Sequence, residues 1–127
     1  GLSIISSYTG VEFSGKNYGD FVIDDIEKVG YISLTSNSDF SSASGIVSVD
    51  ISDPSSMSVL DFFEDISLAG VYRLAIYKGS KTLYASTNVS PYRVLSIDIS
   101  DTSNLSIKSV LDTGINGVCQ DLLLAFQ

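Results

Sequence analysis

The chain has 127 residues, 44% of them apolar and 17% charged, with a formal net charge of −8 and neither histidine nor tryptophan. That composition describes one acidic, globular region. Without histidine there is no Ser-His-Asp triad, no Cys-His dyad and no imidazole ligation of zinc, and one thiol, Cys119, permits neither an internal disulfide nor a thiolate metal site.

Seven scattered basic residues and a pI near 4.1 lack the cationic footprint that phosphate contacts require, so nucleic acid is excluded as a partner. No run approaches about 20 consecutive apolar residues, which argues against membrane insertion by a helix. Twelve aspartates stand against three glutamates, beside 24 serines. Short oxygen-bearing side chains bond to nearby backbone and favour turns and strand ends over helix.

Taken in chain order, Leu2 and Ile4, then Phe21 and Ile23, alternate with period two and predict strands. Asn37 to Ser44 reads as a loop. Ile46, Val47, Val49 and Ile51 predict the next strand; Ser56 to Ile66, rich in β-branched and aromatic residues, is also read as strand rather than a two-turn helix. Val71, Leu74 and Ile76, then Val94, Leu95, Ile97 and Ile99, continue the pattern, and glycines such as Gly30, Gly45, Gly79 and Gly114 punctuate it. Cys119 reads as a small buried hydrophobe, and Leu122 to Phe126 as an apolar strand.

The chain repeats itself. Residues 45–59 read GIVSVDISDPSSMSV and residues 93–107 read RVLSIDISDTSNLSI, a match 48 residues apart that keeps Ser48/Ser96, Asp50/Asp98, Ile51/Ile99, Ser52/Ser100, Asp53/Asp101, Ser55/Ser103 and Ser58/Ser106. Around this core, Leu2-Ser3-Ile4 parallels Met57-Ser58-Val59 and Leu105-Ser106-Ile107, while Phe21-Val22-Ile23 and Tyr31-Ile32-Ser33 parallel Leu74-Ala75-Ile76 and Tyr84-Ala85-Ser86. The whole of 1–127 is therefore one repeat region, with units near 2–56 and 57–104 and a partial unit at 105–127. Each full unit holds four strand segments, the count for one propeller blade.

The segments IVSVDISDP at 46–54 and VLSIDISDT at 94–102 resemble the LVIVD repeat of bacterial and archaeal surface or secreted proteins. That resemblance implies an all-β fold of β-propeller-type, four-stranded antiparallel blades, an extracellular or cell-surface location, and a scaffold or binding role. Thr102 and the positions of Met57 and Leu105 depart from the family's prolines. Propellers typically close with about four to eight blades. Two and a half units make an incomplete ring, so the expectation is a partial propeller that belongs to a longer chain or closes as a homo-oligomer, through blade faces and edge strands.

Among candidate sites, the DISD turns place Asp50 and Asp53, and again Asp98 and Asp101, at strand ends. Paired carboxylates of this kind can ligate calcium, but they lack the spacing of a calcium loop, and the preferred reading is that each caps its turn through backbone N–H groups. Asp24, Asp25 and Glu27, and likewise Asp61, Glu64 and Asp65, have the residue types of a glycosidase carboxylate pair, against which stands a role as solvated loop charge. Tyr8, Phe13, Tyr18, Phe40, Tyr72, Tyr77 and Tyr92 offer stacking surfaces or core packing. Asn88-Val89-Ser90 and Asn104-Leu105-Ser106 are glycosylation sequons at Asn88 and Asn104. The reading is a non-enzymatic surface or secreted scaffold for recognition or assembly, without cofactor unless calcium. A filament or sheath subunit and an acidic-residue hydrolase are the alternatives.

Overall fold

Alternation of Val, Ile, Leu and Tyr with serine and aspartate creates strands that bury one or both faces, and such strands are stable only when another sheet covers them. In the computed structural model, which describes residues 2–10, 16–36 and 44–114, they form two four-stranded antiparallel sheets. Sheet 1 is β1 (Lys16–Asp24), β2 (Val29–Ser36), β3 (Gly45–Asp50) and β4 (Ser58–Glu64) in chain order. Sheet 2 repeats that order with β5 (Val71–Tyr77), β6 (Thr82–Thr87), β7 (Arg93–Asp98) and β8 (Ser106–Asp112). The described residues are all-β apart from two three-residue 3-10 turns, Ile66–Leu68 and Lys78–Ser80.

The registers of the two sheets correspond. Tyr31 faces Ser48 across β2–β3 as Tyr84 faces Ser96 across β6–β7. Each first strand carries a bulge, between Tyr18 and Phe21 in β1 and between Val71 and Arg73 in β5. Each first hairpin ends on a lysine in the left-handed region, Lys28 at φ 59° and Lys81 at φ 52°, whose carbonyl accepts from Ile51 N and Ile99 N respectively, both at 3.0 Å. The strand over Ser56–Ile66 is present as β4.

Two expectations are corrected. Leu2-Ser3-Ile4 is not a strand: residues 2–10 pair with no sheet, and Leu2 and Ile4 are 105% and 86% exposed. The equivalent segments in β4 and β8 are strands because each pairs with the DISD-bearing strand before it, and no such partner lies along residues 2–10 among the described residues. The LSI-type strand also closes a sheet instead of opening one, so the sheets run out of phase with the sequence units 2–56 and 57–104. Cys119, residues 37–43, Phe13 and the Leu122–Phe126 segment lie outside the described residues.

The sheets stack face to face. Val29, Tyr31 and Ile46 from one face of sheet 1 merge with Leu74, Leu83, Ala85, Leu95, Ile97, Ile99 and Leu105 into one buried cluster. β5 lies against β1 and β2, so the first strands of the two sheets run side by side. We call the face of sheet 1 that meets sheet 2 its trailing face, and the face of sheet 2 that receives it a leading face. The leading face of sheet 1, built on Leu34, Val47 and Val49 with Ile32, Ile51, Met57 and Phe62 around them, forms a second, smaller cluster.

Candidate interaction faces

The junction between the sheets joins polar contacts to its apolar core. Four of its hydrogen bonds join side chains of sheet 1 to backbone of the second repeat. Ser33 Oγ donates to Tyr72 O at 2.8 Å while accepting from Asp20 N, and Asp20 Oδ2 accepts from Leu74 N at 3.0 Å. Ser48 Oγ donates to Thr102 O at 2.7 Å, and Asp61 Oδ2 accepts from Leu105 N at 2.8 Å. Two ion pairs join the first hairpins, Lys78 with Asp25 and Lys81 with Glu27, the latter at 3.1 Å. The lysine beside it lowers the Asp25 carboxyl below its usual value, and Asp25 in turn raises Lys78.

These contacts account for most of the acidic residues singled out as carboxylate pairs. Asp24 accepts from Ile26 N and Glu27 N and caps its hairpin, Asp65 caps the Ile66–Leu68 turn, and Glu64 lies 3.7 Å from Lys16. Asp61 crosses the junction in a part-buried bond, whereas Asp25 and Glu27 pair with lysines across it while their side chains stay 74% and 49% exposed, as solvated loop charges are. Replacing Asp61 with alanine leaves the amide of buried Leu105 without its acceptor. The expected cost is about 1–3 kcal/mol in urea unfolding, whereas Asp61→Asn keeps an oxygen there and recovers most of it.

The DISD turns are built alike. Asp50 Oδ1 accepts from Ser52 N and Asp98 Oδ1 from Ser100 N, both at 2.9 Å; Asp53 accepts from Ser55 N at 2.9 Å and Asp101 from Ser103 N at 3.0 Å. The Ser52 and Ser100 hydroxyls, then their amides, hold Asp50 and Asp98 below the usual carboxylate value. A lowered folded pKa contributes stability above the unfolded value, which is lost as pH falls through the folded one. Ser52→Ala is expected to bring the Asp50 titration, followed by carboxyl NMR, back toward the ordinary range. Among the described residues no three or more His, Cys, Asp or Glu side chains gather as a metal group. Asn88 and Asn104 are both exposed.

Sequence reasoning missed Tyr31, whose side chain is fully buried in the junction, and the groove on the leading face of sheet 1. The groove has a volume of about 200 Å³ and is lined by Tyr8, Phe21, Ile32, Val49, Ile51 and Met57. Among the described residues, Tyr8 is the one of the aromatics proposed for stacking that lines it. Tyr72 instead supports the Arg73 guanidinium at 5.0 Å, and Tyr77 stands 53% exposed beside the second hairpin. Among the described residues no helix is long and apolar enough to cross a membrane.

Comparison of the chain with protein-family models, with curated proteins and with solved structures found no match. Its class is therefore stated from the fold: a repeat of four-stranded antiparallel sheets, stacked through buried faces.

Proposed function

We propose that the chain is a non-enzymatic, β-propeller-type scaffold for recognition or assembly at the cell surface or outside the cell. In this reading its sheets are consecutive blades, as the resemblance to the LVIVD repeat implies. The observation that carries the reading is the junction: corresponding sheets meet trailing face to leading face, with β1 and β5 side by side as neighbouring innermost strands of a ring would be. Repetition of the DISD turns at a 48-residue spacing supports a structural role for Asp50, Asp53, Asp98 and Asp101, because a turn must recur in every blade whereas a reaction centre need not. Many of the acidic groups are engaged in capping or in crossing the junction, which favours the scaffold over the hydrolase.

Negative-stain electron microscopy of the protein at assembling concentrations tests the reading. Discs with radial sheets and a central hole are expected. Fibres would favour the filament alternative, and neither form at any concentration would count against an assembling scaffold. Calcium enters this scaffold only as a possible ligand of the DISD carboxylates; a Tm raised by added calcium would reveal such a site.

A further inference from the structure

The groove on sheet 1 has a counterpart inside the molecule. The registers and the repeat carry its residues Phe21, Ile32, Val49, Ile51 and Met57 onto Leu74, Ala85, Ile97, Ile99 and Leu105 of sheet 2. In sheet 2 none of those five is more than 4% exposed, because they share a core with the trailing face of sheet 1. In sheet 1 the same positions border an open hollow, and Phe21 is 42% exposed. A surface that reproduces one already buried in the same molecule is shaped for the same kind of occupant.

Two side chains at its edge imitate that occupant. In the junction, Ser48 Oγ donates to Thr102 O, and Tyr31 is the cross-strand neighbour of Ser48. The carbonyl equivalent to Thr102 is Pro54 O, and Ser6 Oγ donates to it at 2.5 Å, while Tyr8, two residues on, lines the groove. Serine and tyrosine of residues 2–10 thus present to sheet 1 the pair that Ser48 and Tyr31 present to sheet 2. The segment forms no strand, and its Leu2, Ile4 and Ile5 are 69% exposed or more.

The chain also carries a face that fits. On the trailing side of sheet 2, Tyr84 and Ser96 are cross-strand partners at the positions of Tyr31 and Ser48. Ser86 stands where Ser33 does; Ser33 Oγ reaches the neighbouring sheet's Tyr72 O, whereas Ser86 Oγ is buried with no hydrogen-bond partner among the described residues. Thr82 and Lys108 replace Val29 and Leu60, and Lys108 Nζ donates to Thr82 Oγ1 at 2.6 Å, so this face is more polar than the permanent junction. Such a composition suits a contact that forms and separates.

We propose that the leading face of sheet 1 docks the trailing face of sheet 2 from a second copy of the chain, with Tyr84 and Ser96 displacing Tyr8 and Ser6. This rests on the reading of the sheets as blades. The contact is heterologous, so it propagates head to tail and ends where a ring closes. Tyr72 moderates it: it occupies the place of Gly19, whose lack of a side chain permits the close approach of β1 and β5.

Complementation tests the proposal. Met57→Asp spoils the groove and Tyr84→Glu spoils the incoming face; far-UV circular dichroism establishes that both variants fold. Each alone is expected to sediment as a 13.6 kDa monomer, and their equimolar mixture to form a 1:1 complex through the one intact pair of faces. In the otherwise unaltered chain, Ser6→Ala with Tyr8→Ala, or Tyr72→Gly alone, is expected to tighten self-association by about tenfold. A mixture that stays monomeric, or self-association of the Tyr84→Glu variant alone, overturns the docking. If the mixture stays monomeric while the Leu105 amide resists exchange, the blade packing stands and the docking alone falls. An unprotected Leu105 amide in the unaltered chain instead removes the blade reading.

Discussion

Tyr31→Ala is expected to destabilise the chain by about 3–5 kcal/mol, read as a lower urea midpoint, because truncating a fully buried aromatic loses its transfer energy and leaves a cavity. A domain of this size commonly has about 5–15 kcal/mol in total, so the variant stands near the threshold of folding. The loss falls on both sheets together, since Tyr31 belongs to the cluster that joins them. Burial first, then the negative charges of Asp24 and Glu27, push the Tyr31 phenol up to about 12. The folded state therefore keeps its proton after the unfolded chain has released it at about pH 10. Stability from this group is complete below that pH and is lost as pH rises from 10 to 12, by roughly 2–3 kcal/mol. Tyr31→Phe removes that portion of the alkaline transition while retaining the ring; an alkaline midpoint identical in both proteins would show that the phenol is not held neutral by the junction.

Gly19→Val is expected to force the sheets apart at their first strands. A β-carbon at Gly19 meets Ser33 Oγ at 2.6 Å and Tyr72 O at 2.8 Å, with Tyr72 Cα at 3.1 Å. Two of those atoms are backbone of β5, which cannot rotate away as a side chain end would. Overpacking of this kind costs about 1–3 kcal/mol. The shift also stretches the Ser33–Tyr72 and Asp20–Leu74 bonds, each worth about 1 kcal/mol. Gly79→Ala is the control: its β-carbon meets nothing closer than Tyr77 at 3.8 Å, and a change within about 0.5 kcal/mol is expected. Equal effects of the two substitutions on thermal unfolding would contradict the close approach of β1 and β5.

Most strands were legible because alternation is a local signal and the repeat supplied it twice. Ile46-Val47-Ser48-Val49 and Val94-Leu95-Ser96-Ile97 became β3 and β7 with matching registers. The DISD turns were legible for the same reason, since the bond from Asp50 to the amide two residues on needs no distant partner. The strand at Leu2 to Ile4 was misread because a strand needs a neighbour, and pattern alone does not reveal whether one is present. Nor does pattern reveal a junction. Asp20 and Leu74 meet across 54 residues, and nothing in the local sequence of either distinguishes an acceptor for a neighbouring sheet from a solvated turn residue. Tyr31 and Tyr84 occupy equivalent positions, yet Tyr31 is fully buried and Tyr84 is not, because Tyr31 lies in the core that sheet 1 shares with sheet 2.

The two trailing faces thus differ by a few substitutions. Val29 and Leu60 belong to the apolar junction between the sheets, whereas Thr82 and Lys108 at the same positions hydrogen-bond to each other. Under the docking proposed above, Ser6 and Tyr8 hold the places on the leading face of sheet 1 that a second sheet would take. An exposed apolar sheet face otherwise invites unspecific association.

Residue-resolved hydrogen exchange at the Leu105 amide tests the packing of repeat on repeat most directly. Leu105 precedes β8, and its amide bonds to Asp61 Oδ2 of the other sheet. The account predicts that this amide exchanges only on global unfolding, at the same free energy as the central strands β3 and β7. Rapid exchange at Leu105 while β3 and β7 stay protected would contradict it, since the sheets would then be stable singly and their faces would not be joined.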